Sequence, residues 1–196
     1  MSKIYLSSTK LLDDKYCLKK DLIIDFKTIT LLVGDQGCGK STLLNLLQSK
    51  SELLKLNLSE ETIKKGVDTF YFDSEKMNPR ILGIDDFSNP DGTSKGIGVG
   101  VALSTRFKSH GEILQVYTVN AITKAENCIV FLDEPESSLS LRNQFKLAKN
   151  LKKATERNVQ FIIATHCLPL IESVKYVYSL EHLKWMKSLE FINLNK

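Results

Sequence analysis

The segment Gly34-Asp-Gln-Gly-Cys-Gly-Lys-Ser41 places glycines, a lysine and a hydroxyl at the spacing G-x-x-x-x-G-K-[ST], the spacing of a loop that cradles phosphate. Glycine lets the backbone curl so that several N–H groups point inward at one anion. A helix beginning near Gly39 adds its positive N-terminal end. The expected contacts are the loop at Gly34, Asp35, Gln36, Gly37, Cys38 and Gly39, and the ammonium of Lys40 near the β- and γ-phosphates. Ser41 offers its hydroxyl to Mg²⁺ and Thr42 is placed for the α-phosphate. Cys38 adds a thiol near a helix N-terminus, where a lowered pKa would make the loop sensitive to oxidation. The plainer reading is a small residue tolerated in a tight loop.

A second set of groups closes the apolar run Ile129-Val-Phe-Leu132, which ends in Asp133 and Glu134. A carboxylate at such a strand end can hold a magnesium-bound water beside the loop, and Asp133 is placed for it. Glu134, one residue on, is turned toward the point where water would attack a γ-phosphate and is the expected general base or water-positioner. Alone, the pair could equally precede a helix, because Pro135 and Glu136 suit a first helical turn. The phosphate loop upstream tips the reading toward chemistry. His166 follows the run Phe161-Ile-Ile-Ala164, where an imidazole could donate a hydrogen bond to the γ-phosphate and sense its presence.

These groups need strand ends gathered on one edge, and the pattern of the chain supplies them. Residues 22–26 and 28–33 read as two strands with only Lys27 between, a hairpin or a bent pair. Leucines at helical spacing predict a helix over 41–56, and Ser59, with Glu60 and Glu61 behind it, opens a second short one. Strands are expected at 67–72, 128–132, 159–164 and 175–180, and helices at 111–125 and 139–156. Residues 78–100 hold two prolines and five glycines and read as irregular chain, with a short helix near Ile97. Strands alternating with helices predict an α/β fold, a mainly parallel sheet flanked by helices on both faces.

Composition narrows the class. The 196 residues suit one domain with a full core, and 42% hydrophobic with 26% charged residues is ordinary for a soluble protein. A net charge of +4 permits a nucleic-acid or acidic partner without arguing for one. Lys146, Lys149, Lys152 and Lys153 could form a basic strip on one helix, though a solvated face is the plainer account. The sequence has no signal peptide and no apolar run long enough for a membrane span. Cys17, Cys38, Cys128 and Cys167 are scattered without a C-x-x-C pair, which argues against a structural zinc or disulfide framework and for the cytoplasm.

In motif order the chain resembles the ABC ATPase superfamily. The matching pieces are Gly34 to Thr42, Leu132-Asp-Glu-Pro135, Ser137-Ser-Leu-Ser140 and Ala164-Thr-His166. Lys108-Ser-His-Gly-Glu112 occupies the place of the family signature, keeping Ser109 and Gly111 but carrying His110 where a glycine is usual. Ser109 could also simply cap a helix, with Glu112 completing a capping box. The resemblance implies ATP as ligand, Mg²⁺ as cofactor, Ser137 to Ser140 as the D-loop and His166 as the switch histidine. It implies one domain over 1–196, with a reduced, loop-rich lid at approximately 74–110. It also implies an ATP-driven head-to-tail homodimer, in which Ser109 and Gly111 of one copy meet the nucleotide of the other.

Two departures stand out. The glutamine usual after the phosphate-loop helix is missing, and Phe72-Asp-Ser-Glu75 stands there; Asp73 or Glu75 could take its place, though acids in a turn are more often caps or solvated. The segment between loop and signature is too short for a transporter's helical subdomain or for an SMC-type coiled coil. With Glu136 after the proline, the chain is more similar to stand-alone RecF-type and related ATPases. A base-stacking residue is not readable, with Tyr5 and Tyr16 both available. The expected activity is ATP hydrolysis. The alternatives are a nucleotide-gated module with little turnover, a subunit acting on DNA or with a partner protein, and, least well fitted, a small-molecule kinase.

Overall fold

The computed structural model describes residues 3–12, 18–19, 22–59, 67–73, 122–123, 125–137 and 139–195. The strands are β1 (Leu6–Leu11), β2 (Ile23–Asp25), β3 (Ile29–Val33), β4 (Leu54–Leu58), β5 (Asp68–Asp73), β6 (Cys128–Asp133), β7 (Gln160–Ala164), β8 (Tyr176–Ser179) and β9 (Lys184–Lys187). The helices are α1 (Lys40–Gln48), α2 (Leu141–Thr155), α3 (Leu168–Ser173) and α4 (Ser188–Leu194). A six-stranded sheet runs β5-β6-β7-β3-β8-β9, parallel except for β9. The nearly unbroken apolar runs of β3, β6 and β7 take its centre and are covered on both faces, as parallel strands require.

Period two sends alternate residues to opposite faces. Leu32, Phe131 and Ile162 face α1, whose Leu43, Leu44 and Leu47 cover them. Val33, Val130, Leu132 and Ile163 face the other way, toward Leu147 and Leu151 of α2 and Leu170 and Ile171 of α3. Each such leucine, fully buried, contributes about 1.5–3 kcal/mol relative to exposure. Both layers leave the carboxyl ends of β3, β6 and β7 on one edge, where an open α/β sheet receives its ligands.

Of two local expectations, one is decided between its alternatives and one needs correction. Residues 22–26 and 28–33 are a bent pair rather than a hairpin: β2 joins a separate antiparallel sheet, ordered β2-β1-β4, while β3 enters the large one. The first helix ends at Gln48 rather than reaching 56, and Leu54 to Leu58 form a strand. Lys50 takes a φ of +50, and the N–H groups of Ser51 and Lys50 donate to the carbonyls of Leu46 and Leu47. That pattern of bonds ends a helix. The expected short helix after Ser59, most of the expected helix at 111–125 and the irregular stretch at 78–100 lie outside the described residues. Among the described residues no helix is long and apolar enough to cross a membrane.

Candidate nucleotide site

The chain leaves β3 at Val33 and turns at once. Gly34 has a φ of +143, and a Cβ there would lie 2.8 Å from Cys38 Sγ. Gly39, at the N-cap of α1, sits at φ +101. Any other residue at either position would be strained, so the loop's shape depends on glycine. Lys40 is 5% exposed, and its ammonium donates to the carbonyls of Gly34 (2.9 Å) and Asp35 (2.8 Å). From outside, Glu181 Oε1 accepts the Asp35 N–H at 2.6 Å. The sequence reading missed Glu181. Its one clue is position: it follows β8, which lies beside β3, so it emerges at the same edge.

Asp133, at the end of β6, reaches the start of α1. Ser41 Oγ donates to Asp133 Oδ1 at 3.0 Å, and Tyr71 Oη donates to Oδ2 at 3.1 Å. Tyr71 was not anticipated; it lies two residues before Asp73, and so on the same face of β5. Asp73 is paired in register with Asp133 and is also buried. Burial raises the Asp133 carboxyl above its ordinary range against the hydrogen bonds from Ser41 and Tyr71, and the charges of Asp73 and Glu134 push the same way. Burial also lifts the Tyr71 phenol, with the Asp133 charge adding to it.

A hydroxyl and carboxylates gathered in this way are hard oxygen donors and fit a magnesium ion. Among the described residues no group of three or more His, Cys, Asp or Glu side chains could hold a metal. Magnesium, which keeps waters and takes phosphate oxygens, needs no such cage.

Glu134 and His166 come together although 32 positions apart in the chain: His166 Nε2 lies 3.7 Å from Glu134 Oε1, both side chains near half exposed. Glu134 carries a φ of +46, and its N–H donates to Ala164 O at 3.0 Å. Glu136 Oε1 accepts from Thr165 Oγ1 at 2.5 Å and from the His166 N–H at 3.0 Å. Burial raises the Glu136 carboxyl, with those two donors opposing. A groove of about 610 Å³ opens beside the pair, with Leu141, Phe145 and Leu168 along it.

Several expected residues fall elsewhere. Ser109, Gly111, Glu75, Tyr16 and the 74–110 lid lie outside the described residues. Tyr5 is a core side chain, 3% exposed, and does not offer a face for a base. At Cys38 burial raises the thiol, outweighing the lowering by Lys40, which goes against the oxidation-sensitive alternative and leaves the plainer reading of a small residue in a tight loop. Lys146, Lys149, Lys152 and Lys153 lie exposed on the outer face of α2.

The loop, the acids at the end of β6 and this strand order define a P-loop nucleotide-binding fold of the ABC ATPase kind. The family model of the ATPase family associated with various cellular activities (AAA) matches residues 30–174, and the chain belongs to that family. Two curated relatives are phosphate import ATP-binding proteins PstB. The one from Prochlorococcus marinus is 27% identical over 63% of this chain and 48% of its own. The one from Pyrobaculum aerophilum is 31% identical over 65% of this chain and 53% of its own. The chain thus spans about half the length of these relatives. A dimeric ATP-binding cassette in a post-hydrolysis state with ADP and Pi superposes with a TM-score of 0.58 at 18% identity, over 94% of this chain and 98% of that one.

Proposed function

We propose that this chain binds ATP with magnesium at the 34–42 loop and hydrolyses it, and that ATP clamps two copies head to tail. The observation that carries the reading is the Ser41–Asp133 contact of 3.0 Å, which puts the loop and the acidic strand end on one small volume. In this reading Lys40 exchanges its loop carbonyls for the β- and γ-phosphates. Thr42 takes the α-phosphate. Ser41 and Asp133 would hold magnesium, with Asp73 as the neighbouring carboxylate, and the ion when bound neutralises charge on the phosphates. Glu134 accepts a proton from, or orients, the attacking water. His166 donates to the γ-phosphate beside it. Ser109 and Gly111 of the second copy close the site, as the likeness to a dimeric cassette supports. The free thiols of Cys38, Cys128 and Cys167 suit the cytoplasm.

Phosphate release under saturating Mg·ATP tests the reading. Glu134→Gln should lower kcat by about 10²–10⁴-fold while a fluorescent ATP analogue binds as before. Binding without any release by the wild type would leave a nucleotide-gated module. No binding at millimolar nucleotide would remove the reading altogether.

A further inference from the structure

Glu134 sits where its backbone is strained. A non-glycine residue in the left-handed region costs on the order of 1–2 kcal/mol and persists only where its surroundings over-determine it. Its N–H is held by Ala164 O, and its carbonyl accepts the Ser137 N–H at 2.9 Å. Those bonds fix its main chain but do not reach His166. Glu136 does. One oxygen of its carboxylate accepts both the Thr165 hydroxyl and the His166 N–H, and the same hydroxyl accepts the Cys167 N–H at 2.9 Å. A single side chain therefore ties the turn after β6 to the loop after β7. The tie falls where Glu134 and His166 stand 3.7 Å apart.

We infer that Glu136 is a positioning residue for hydrolysis: it latches the His166 loop onto the turn that carries Glu134 and so sets the separation of those two side chains. This rests on the ATPase reading above. The packing of α2 does not depend on the latch, because Leu147, Ala148, Leu151 and Ala154 anchor that helix from its other end. What the latch governs is geometry at the rim, where an error of 1 Å can cost about 10²-fold in rate.

The test uses the full chain as wild type, Glu136→Gln, Glu136→Leu and Thr165→Val. Phosphate release, affinity for the fluorescent ATP analogue, thermal midpoint and hydrogen exchange at 165–167 are measured for each. Glu136→Gln keeps an acceptor oxygen in place and should stay within about threefold of wild-type kcat. Glu136→Leu should lose roughly 10- to 100-fold in kcat, with KM and analogue affinity unchanged and exchange at 165–167 faster. Thr165→Val, which keeps the His166 bond, should fall between. Wild-type kcat in Glu136→Leu, a loss confined to KM, or a Glu136→Gln as impaired as Glu136→Leu would each overturn the latch.

If Glu136→Leu does not fold, Thr165→Val decides: an unchanged kcat overturns it. If the wild type releases no phosphate, the ATPase reading falls and exchange alone decides. Wild-type exchange at 165–167 in a folded Glu136→Leu, or in Thr165→Val where Glu136→Leu does not fold, then overturns the latch.

Discussion

At the scale of single residues, the site carries groups that suit a ligand better than they suit the fold. Asp133 is 7% exposed, and burial above all holds its carboxyl above the usual range. An acid whose folded pKa is raised steadies the fold while protonated, below its unfolded pKa, and that contribution is lost as pH rises through the folded value. As pH rises through that folded value, without magnesium or nucleotide, ionising this buried carboxyl beside Asp73 and Glu134 therefore works against folding. Asp133→Asn keeps the shape and can still meet the Ser41 and Tyr71 hydroxyls. It should stabilise the ligand-free protein by about 1 kcal/mol, a midpoint higher by roughly 2–4 °C, and narrow the loss of stability between acid and neutral pH. Calorimetry at two pH values checks this, and a lowered midpoint at neutral pH would contradict it. The same variant should abolish phosphate release, trading function for stability at one atom pair.

At the scale of elements, a side chain outside the site joins the two sheets. Gln160 is fully buried at the first position of β7. Its Oε1 accepts the N–H groups of Tyr5 and Leu6 at 2.9 Å each, and its Nε2 donates to Leu6 O at 2.8 Å and Lys27 O at 3.3 Å. Removing one partner of a buried hydrogen bond costs about 1–3 kcal/mol. Gln160→Leu should thus lower stability by about 3 kcal/mol, with exchange rising in β1 while β6 stays protected. An unchanged melt would sink the claim. No periodicity signals such a residue: a lone glutamine opening an apolar run reads as a strand end. The central strands were legible because burial on both faces leaves a nearly unbroken apolar run, and the loop because glycine, lysine and serine recur there at fixed spacing. The end of α1 was not, since a lysine rather than a glycine takes the left-handed position. Leu54, Leu56 and Leu58 then continue a leucine count that fits helix and strand alike. Asp133, Glu134 and His166 were placed correctly as strand-end residues. Tyr71, Glu181 and the bonds of Glu136 were missed because each depends on a register or turn formed only in three dimensions.

At the scale of the whole molecule, the proposed clamp needs a force that would bring two copies together. Each carries a formal net charge of +4, so bare copies repel at long range, within a screening length of about 8 Å at physiological salt. Mg·ATP would bring net negative charge to the loop of each copy, where the N-terminal end of α1 faces it, and in the proposed head-to-tail clamp that charge would lie between the two copies. Association is then linked to occupancy: a ligand that binds the assembly more tightly than the monomer must favour the assembly by that same difference. In the proposed cycle hydrolysis would break that link, so a wild-type dimer would be short-lived and a variant that binds without cleaving would accumulate it. Glu134→Gln should therefore elute as a monomer alone or with ADP and as a dimer with Mg·ATP, the dimer fraction rising with protein concentration and falling when magnesium is chelated. Substituting Ser109 in that background should return it to monomer without weakening nucleotide affinity in the monomer, since in the proposed clamp the serine would act on the other copy's phosphate. A nucleotide-loaded Glu134→Gln that stays monomeric at every concentration would exclude the clamp and leave each copy to work alone.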